Sequence, residues 1–204
     1  MKNAFEIVKT FEEALCEYTG APHAIALDSC TNALLLCCIY HKVDIVTLPT
    51  KTYLSVPNSV VRAGGRIRWK DFHWKGNYKL EPYPIHDSAR SFYKFMYPHI
   101  TKQDDICVSF HTKKILSVGR GGAILTSSLK RANWYKQMRF DGRHEGIPVS
   151  KDQPEVIGHH CLMTPDVAAS ALMRLNLLPE KNEDLTDMDP DLSKLEIFDE
   201  YSIR

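Results

Sequence analysis

Residues Ile106–Thr126, ICVSFHTKKILSVGRGGAILT, contain the pattern that decides the fold of this chain. The beginning and the end of the stretch are rich in apolar, β-branched and aromatic residues, which predicts two buried strands. Ser109 lies at the end of the first strand, and Lys113 and Lys114 lie in the turn that follows. Glycines after the turn allow the backbone to pass close to a bulky group. The stretch therefore predicts a ligand pocket at a sheet edge, with a lysine amine held in it.

Strand and helix periods alternate along the rest of the chain. The predicted strands are His23–Ser29, Asp44–Pro49, Arg66–Phe72, Tyr83–Ala89, Ile106–His111 and Gly122–Thr126, and the predicted helices are Phe5–Leu15, Thr31–Tyr40, Ser55–Ala63, Lys130–Phe140 and Thr164–Leu178. The segment His73–Pro84 is predicted to be a loop because it contains several glycine, asparagine and proline breakers. The alternation predicts an α/β fold of three layers, αβα, in which a mostly parallel sheet is the middle layer.

Length and charge favour one domain that binds a small anionic ligand. With 204 residues, 44% of them apolar, the chain can bury a substantial core. Net charge is +1, but residues 179–204 hold nine acids against three bases, which leaves about +7 on residues 1–178. We therefore expect an α/β domain over 1–178 and an acidic C-terminal tail over 179–204. Nucleic acid binding is disfavoured because no basic run or basic-aromatic alternation occurs.

Cysteine, histidine and N-terminal patterns argue against other classes. The six cysteines lack paired CxxC spacing and are predicted to be reduced core thiols. The adjacent pair His159 and His160 lacks partners at metal-ligand spacing, so no metal site is expected. The N-terminal residues predict an amphipathic helix rather than a signal peptide, and no apolar run is long enough to span a membrane. We expect a cytoplasmic protein.

Polar residues at strand ends and helix starts are candidates for a ligand site, because ligands of parallel sheets bind at the carboxyl edge. Thr31 begins a predicted helix, where its hydroxyl could hold a phosphate or simply cap the helix. Asp87 ends an apolar strand, and a buried carboxylate requires a cationic partner unless it caps a turn. Tyr53 follows a strand, where an aromatic side chain could contact a ligand or could simply belong to the core.

Taken together and in order, these segments resemble the DegT/DnrJ/EryC1/StrS sugar aminotransferases, which are pyridoxal 5'-phosphate (PLP) enzymes of fold type I. The lysine segment of that family, roughly S-F-H-x-x-K-N-L-x-x-G-E-G-G, aligns without a gap and places the Schiff-base lysine on Lys114. The resemblance implies a reduced version of the fold type I large domain. It also implies that Asp87 pairs with the pyridine nitrogen, and that the cofactor is bound by Thr31, Asn32, Tyr53, Asp87, Arg90, Ser109, Lys114 and His160.

The same resemblance has consequences for assembly and completeness. His160 matches a residue that reaches the phosphate of the neighbouring subunit, which implies a symmetric homodimer with shared sites. Between Tyr53 and Asp87 the chain is about half the length typical of the family, so a strand-and-helix unit is expected to be absent. The family also continues into a C-terminal domain beyond the last predicted helix. We therefore expect a shortened member.

The function implied is an aminotransferase, with Lys114 and Asp87 as catalytic residues. An amino acid would be the donor, and a nucleotide-linked keto sugar would be the acceptor. Two alternatives stay open from the sequence. One is a PLP enzyme with a different reaction on a smaller substrate. The other is a non-catalytic protein, or half of a split enzyme whose missing domain comes from a separate chain.

Overall fold

A computed structural model describes residues 5–186 and 189–203 of the chain. The strands are β1 (His23–Leu27), β2 (Ile45–Pro49), β3 (Arg66–Lys70), β4 (Tyr78–Lys79), β5 (Ile85–Asp87), β6 (Asp105–Ser109) and β7 (Gly122–Thr126). The α-helices are α1 (Glu6–Thr19), α2 (Cys30–Tyr40), α3 (Ser55–Arg62), α4 (Met96–Ile100), α5 (Leu129–Met138) and α6 (Pro165–Leu175). Short 3-10 helices occupy Val149–Lys151, Leu192–Lys194 and Glu196–Tyr201.

The main sheet has the strand order β1-β7-β6-β5-β4, and β2 and β3 form a parallel pair beside it. β5 and β6 are parallel, whereas β7 is antiparallel to both of its neighbours, so β1, β5 and β6 share one direction. A bridge from Thr47 of β2 to Glu81, just after β4, gives β2 and β3 that direction too. The expected α/β fold with a mostly parallel sheet is confirmed, and β4 and β7 are its reversed strands.

Side chains of the sheet alternate between two apolar layers. Ile25 and Leu27 of β1 face a cluster that includes residues of α2, α3 and α5. Ala24 and Ala26 of the same strand face a second cluster, formed with α1, α4 and α6. Because successive strand residues point to opposite faces, both faces of the sheet are covered by helices. The structure thus has the three layers expected from the sequence.

Two local elements differ from the sequence-based expectation. The predicted loop His73–Pro84 contains β4, because Tyr78 and Lys79 pair in register with Asp87 and His86 of β5. Pairing with an existing strand therefore outweighs the breakers on either side. Helix α4 was not predicted, since five residues are too few to show a helical period.

The acidic C-terminal segment packs against the domain in its described part, 179–186 and 189–203. Leu192 and Phe198 are buried in the core. The Leu192 N–H donates to the carbonyl of Thr50 at 2.8 Å, and the Ile203 N–H donates to the carbonyl of Ile67 at 2.8 Å. These contacts show that the segment is not a free extension.

A buried ion pair joins α1, β1 and the end of α5. Glu12 and Arg139 are 5% and 3% exposed, and they form a salt bridge. Oε1 of Glu12 also accepts the N–H of Ala26 at 2.8 Å, and Arg139 donates to the carbonyl of the same residue. The pair therefore fixes the edge strand β1 between two helices.

We expect Glu12→Gln to lower the free energy of unfolding by about 3 kcal/mol, because the substitution removes the buried carboxylate that pairs with Arg139 and leaves this buried cation with only the exposed Glu145. Glu13→Gln, at the exposed neighbouring position, is the matched control and should change it by less than about 0.5 kcal/mol. Urea denaturation of the two variants measures both values. Equal losses would show that the buried pair does not stabilise the fold.

Candidate active site

The ends of β5 and β6 meet the beginning of α2 at one edge of the main sheet. Together they surround a cavity of about 460 Å³. Its charged lining comprises Asp87, Arg90, Lys113, Lys114, Arg120 and Asp189. Cations outnumber carboxylates in this lining, so the cavity is suited to an anionic ligand.

Gly122 brings the first turn of α2 to this edge. A Cβ atom at this position would lie 2.3 Å from the backbone nitrogen of Cys30, so no larger residue fits between β7 and α2. The Ser29 side chain caps the helix by accepting the N–H of Asn32 at 3.2 Å. The N–H groups at the beginning of a helix attract anions. This helix start is therefore placed where a phosphate could bind.

Six of the eight predicted cofactor-binding residues line the cavity, and two do not. The six are Thr31, Tyr53, Asp87, Arg90, Ser109 and Lys114. Asn32 turns its side-chain amide to Oδ1 of Asp28, at 2.7 Å. The His160 side chain is 75% exposed, and its Nδ1 lies 2.9 Å from Oδ2 of Asp141. His160 therefore makes no contribution to the cavity of its own chain.

The two adjacent lysines are not equivalent. Lys114 is half-buried, whereas Lys113 is exposed, although both reach the cavity. The positive charge of Lys114 acts on Asp87 and on Cys30, lowering the pKa of each against the larger effect of burial. Lys114 is thus the less exposed of the two lysines, and its charge acts on the buried carboxylate.

Asp87 is buried, with 4% of its surface exposed. Burial raises the pKa of its carboxyl group. Four groups oppose that effect: the N–H of Ala89, which donates to Oδ1 at 3.0 Å, the Tyr78 hydroxyl, and the cations of Lys114 and Arg90. The carboxylate is therefore held in an apolar site by a small set of donors and charges.

Arg90 is held between an aromatic ring and a carboxylate. Its guanidinium carbon lies 4.6 Å from the centre of the Trp74 ring, within the range of a cation–π contact. Nη2 donates to Oδ2 of Asp189 at 2.5 Å, and both side chains are 11% exposed. The acidic C-terminal segment thus supplies one wall of the cavity.

Three residues of the site were missed by reasoning from the sequence: Trp74, Tyr78 and Asp189. The first two lie in the predicted loop, and the third lies in the predicted tail. In the sequence, Tyr78 and Leu80 flank the polar Lys79. This apolar–polar alternation is a weak strand signal that could have revealed β4. Nothing local to Asp189 indicates its contact with Arg90.

A second cavity, of about 430 Å³, lies between α1 and the segment after α5. Its buried cation Arg139 is already paired with Glu12 and with Glu145. None of the predicted site residues lines this cavity. Among the described residues, no cluster of three or more His, Cys, Asp or Glu side chains could hold a metal ion, and no helix is long and apolar enough to cross a membrane.

The fold and the cavity define a class. The structure of AtS13 from Actinomadura melliaura matches with a TM-score of 0.73 at 19% identity, over 83% of this chain and 59% of that protein. Sugar aminotransferase CalS13 from Micromonospora echinospora matches with a TM-score of 0.68 at 15% identity, over 84% and 61%. Spr1654 from Streptococcus pneumoniae, in its PMP form, matches with a TM-score of 0.70 at 16% identity, over 85% and 59%. The chain shares the α/β fold of these proteins.

The family follows from the sequence comparison. The DegT/DnrJ/EryC1/StrS aminotransferase family model matches residues 2–82 and 83–188, and the chain belongs to that family. A relative from Campylobacter jejuni, UDP-4-amino-4,6-dideoxy-N-acetyl-beta-L-altrosamine transaminase, is 25% identical over 244 residues. That match covers 97% of this chain and 65% of the relative. The chain thus spans less than two thirds of the length of that curated relative.

The burial of Asp87 predicts a dependence of stability on pH. Because its pKa is higher in the folded state than in the unfolded chain, folding takes up a proton between the two values. This carboxyl group therefore reduces stability as pH rises from about 4 through its folded pKa. Asp87→Asn removes the effect. We expect the variant without ligand to be at least as stable as wild type at pH 7, with the difference shrinking towards pH 4.

Urea denaturation of both proteins across this pH range measures the difference, in which contributions from unchanged groups cancel. Each unit by which the pKa is raised corresponds to about 1.4 kcal/mol. A variant that is clearly less stable than wild type at pH 7 would contradict the assignment of a raised pKa.

Proposed function

We propose that this chain is a PLP-dependent aminotransferase in which Lys114 binds the cofactor and Asp87 holds the cofactor's pyridine nitrogen. The observation that carries the proposal is that the half-buried Lys114 and the buried Asp87 face the same cavity, where the charge of the lysine acts on the carboxylate. Membership of the aminotransferase family supports it. A buried carboxylate and a cation at the wall of one cavity are typical of a functional site and give a structural remnant no evident gain.

The residues present fit the parts of PLP. The α2 N-terminus, together with the hydroxyls of Thr31 and Ser109, is suited to the phosphate group. Tyr53, which is 65% exposed beside the cavity, is placed to lie against the ring. Asp87 offers a carboxylate for a protonated pyridine nitrogen, and such an ion pair would offset the cost of its burial.

Lys114, Asp87 and Arg90 have different roles in the proposed reaction. When bound, PLP supplies an electron-withdrawing ring that stabilises negative charge at the reacting carbon of the substrate. Lys114 is the amine that binds the cofactor and the base that moves a proton at that carbon. Asp87 would hold the ring nitrogen in its protonated form. Arg90 lies in the same wall, and its fixed positive charge, shared with Asp189, would be available to the phenolic oxygen.

For the substrates, we propose an amino acid as donor and a keto sugar, linked to a nucleotide, as acceptor. The Campylobacter jejuni relative is named for a UDP-linked amino sugar, which supports this class of acceptor. The cationic lining of the cavity, with Arg120 and Lys113 on its exposed side, is compatible with the diphosphate of such a substrate. We place the protein in the cytoplasm, where nucleotide-linked sugars are made.

The covalent attachment point tests the proposal directly. Incubation with PLP followed by borohydride reduction should place the label on the peptide that contains Lys114. Lys114→Ala should abolish labelling, whereas Lys113→Ala is the matched control and should retain most of it, since Lys113 is exposed. Labelling of Lys113 alone would show that the register is wrong by one residue, and absence of any label would refute the PLP proposal.

We further propose a symmetric homodimer whose sites are shared. The segment 142–158 leaves the domain as a loop whose base is tight: a Cβ on Gly142 would lie 1.9 Å from the carbonyl oxygen of Val156. Along this loop Ile147, Val149 and Ile157 are 41%, 70% and 97% exposed. We take the presence of three exposed apolar side chains on one loop as support for a partner surface. His160 follows the loop, does not line its own cavity, and has a 75% exposed side chain beside Asp141, which places it on the surface that a partner would contact.

The mass of the native protein in solution, with and without PLP, tests the shared site. We expect a dimer with PLP, and a loss of PLP affinity of about tenfold in His160→Ala, the cost of about 1.4 kcal/mol expected for one hydrogen bond to a charged group. His99→Ala, an exposed histidine on α4, is the control and should bind PLP as wild type does. A monomer with bound PLP, or equal affinity in both variants, would contradict the shared site.

A further inference from the structure

Tyr78 lies opposite Asp87 in the β4–β5 pair. It is buried, with 5% of its surface exposed, and its hydroxyl lies 2.6 Å from Oγ1 of Thr52. Because the two residues are direct cross-strand partners, their side chains lie on the same face of the pair, and the Tyr78 hydroxyl lowers the pKa of the Asp87 carboxyl against the larger effect of burial. Thr52 is itself 1% exposed. Two neutral hydroxyl groups and one carboxylate thus form a chain that is closed off from water.

The number of available protons determines which group donates and which accepts in each of these hydrogen bonds. An ionised Asp87 only accepts, and each hydroxyl has one proton to donate. If Tyr78 donates to Asp87, Thr52 donates to Tyr78, and the polar atoms are all satisfied. In the opposite direction the buried carboxylate would lose a donor. Losing that hydrogen bond costs more free energy than losing either of the other hydrogen bonds between these groups, because the carboxylate is charged. The arrangement therefore favours the order Thr52 to Tyr78 to Asp87.

We propose that Tyr78 is a positioning residue of the active site, whose hydroxyl, held by Thr52, donates to the Asp87 carboxylate and orients it. Its consequence for the cofactor rests on the proposed function. Tyr78 comes from β4, so the strand that pairs with β5 supplies this support for the carboxylate.

The other groups around Asp87 cannot replace this hydroxyl. On α2, Cys30 is a neutral buried thiol. After β5, the Ala89 N–H donates to Oδ1, and Arg90 is already paired with Asp189. After β6, Lys114 is the amine that the proposed cofactor would engage. The negative charge of Asp189 raises the pKa of Tyr78. Being negative itself, Asp189 cannot stabilise the charge of Asp87. Tyr78 and the Ala89 N–H are thus the neutral donors that stay with Asp87.

The titration of Asp87 in the protein without PLP tests the proposal independently of any cofactor. The carboxyl carbon of Asp87, labelled with ¹³C and assigned with Asp87→Asn, reports its pKa by NMR. Tyr78→Phe removes only the hydroxyl and should raise this pKa by about one unit, as loss of a donor to the charged form requires. Tyr83→Phe is the matched control: its hydroxyl, in the same segment, accepts the N–H of Asp44 at 2.7 Å, outside the cavity. The control should leave the pKa unchanged.

Two substitutions at Thr52 guard against a folding defect in Tyr78→Phe. Thr52→Val should raise the pKa of Asp87 in the same direction by a smaller amount, and Thr52→Ser, which keeps the hydroxyl, should restore the wild-type value. An Asp87 pKa that is equal in wild type, Tyr78→Phe and Thr52→Val would overturn the proposal.

PLP binding then connects the positioning residue with the proposed function. PLP affinity should fall when the pH drops below the pKa of Asp87. In Tyr78→Phe this fall should occur at a pH about one unit higher than in wild type. A fall at the same pH in both proteins would overturn the role of Tyr78 in cofactor binding. If wild type itself binds no PLP, the proposed function fails, while the carboxyl titration still decides the role of Tyr78.

Discussion

The burial of one carboxylate is the constraint on which the rest of this site depends. Asp87 ends β5 inside the protein, where an isolated negative charge would cost several kcal/mol. Each neighbouring element supplies something that offsets this cost: a backbone donor after β5, a hydroxyl from β4, and cations from Arg90 and Lys114. A protonated ring nitrogen would complete the set. The same groups that make the carboxylate tolerable also make it suited to hold a cofactor.

Much of this arrangement could be predicted because its chemistry is carried by local patterns. Apolar strands followed by polar residues predicted the α/β alternation, and the ends of such strands meet at one edge, so Lys114, Ser109 and Asp87 were expected to converge. They line one cavity together with Thr31, Tyr53 and Arg90. Their assigned roles in binding PLP stay predictions, and so does the homodimer.

Other features depend on contacts that leave no local pattern. Tyr78 was placed in a loop because its neighbours are breakers, although β5 offered a strand to pair with. Asp189 is 99 residues away from its partner Arg90, and no short-range signal connects them. Asn32 was assigned from the family pattern alone, and its side chain bonds to Asp28 outside the cavity. The role assigned to His160 lies in the site of a partner and stays a prediction. Motif alignment fixes the backbone position of a residue but not the direction of its side chain.

The short segment after β3 and the acidic C-terminal segment meet at the cavity. A Cβ on Gly76 would lie 2.4 Å from Oδ2 of Asp184, so the two segments are in close contact there. Further along, Asp189 pairs with Arg90, which packs on Trp74. The wall they form is aromatic and carries both charges.

The visible absorption spectrum of the purified protein with PLP, followed by addition of glutamate, tests the central claim most directly. We expect a band from the lysine-bound cofactor that converts to the shorter-wavelength band of the amine form when glutamate is added, and that is absent in Lys114→Ala. A band that glutamate leaves unchanged would contradict an aminotransferase that uses this donor, and the absence of any band in wild type would contradict the PLP site itself.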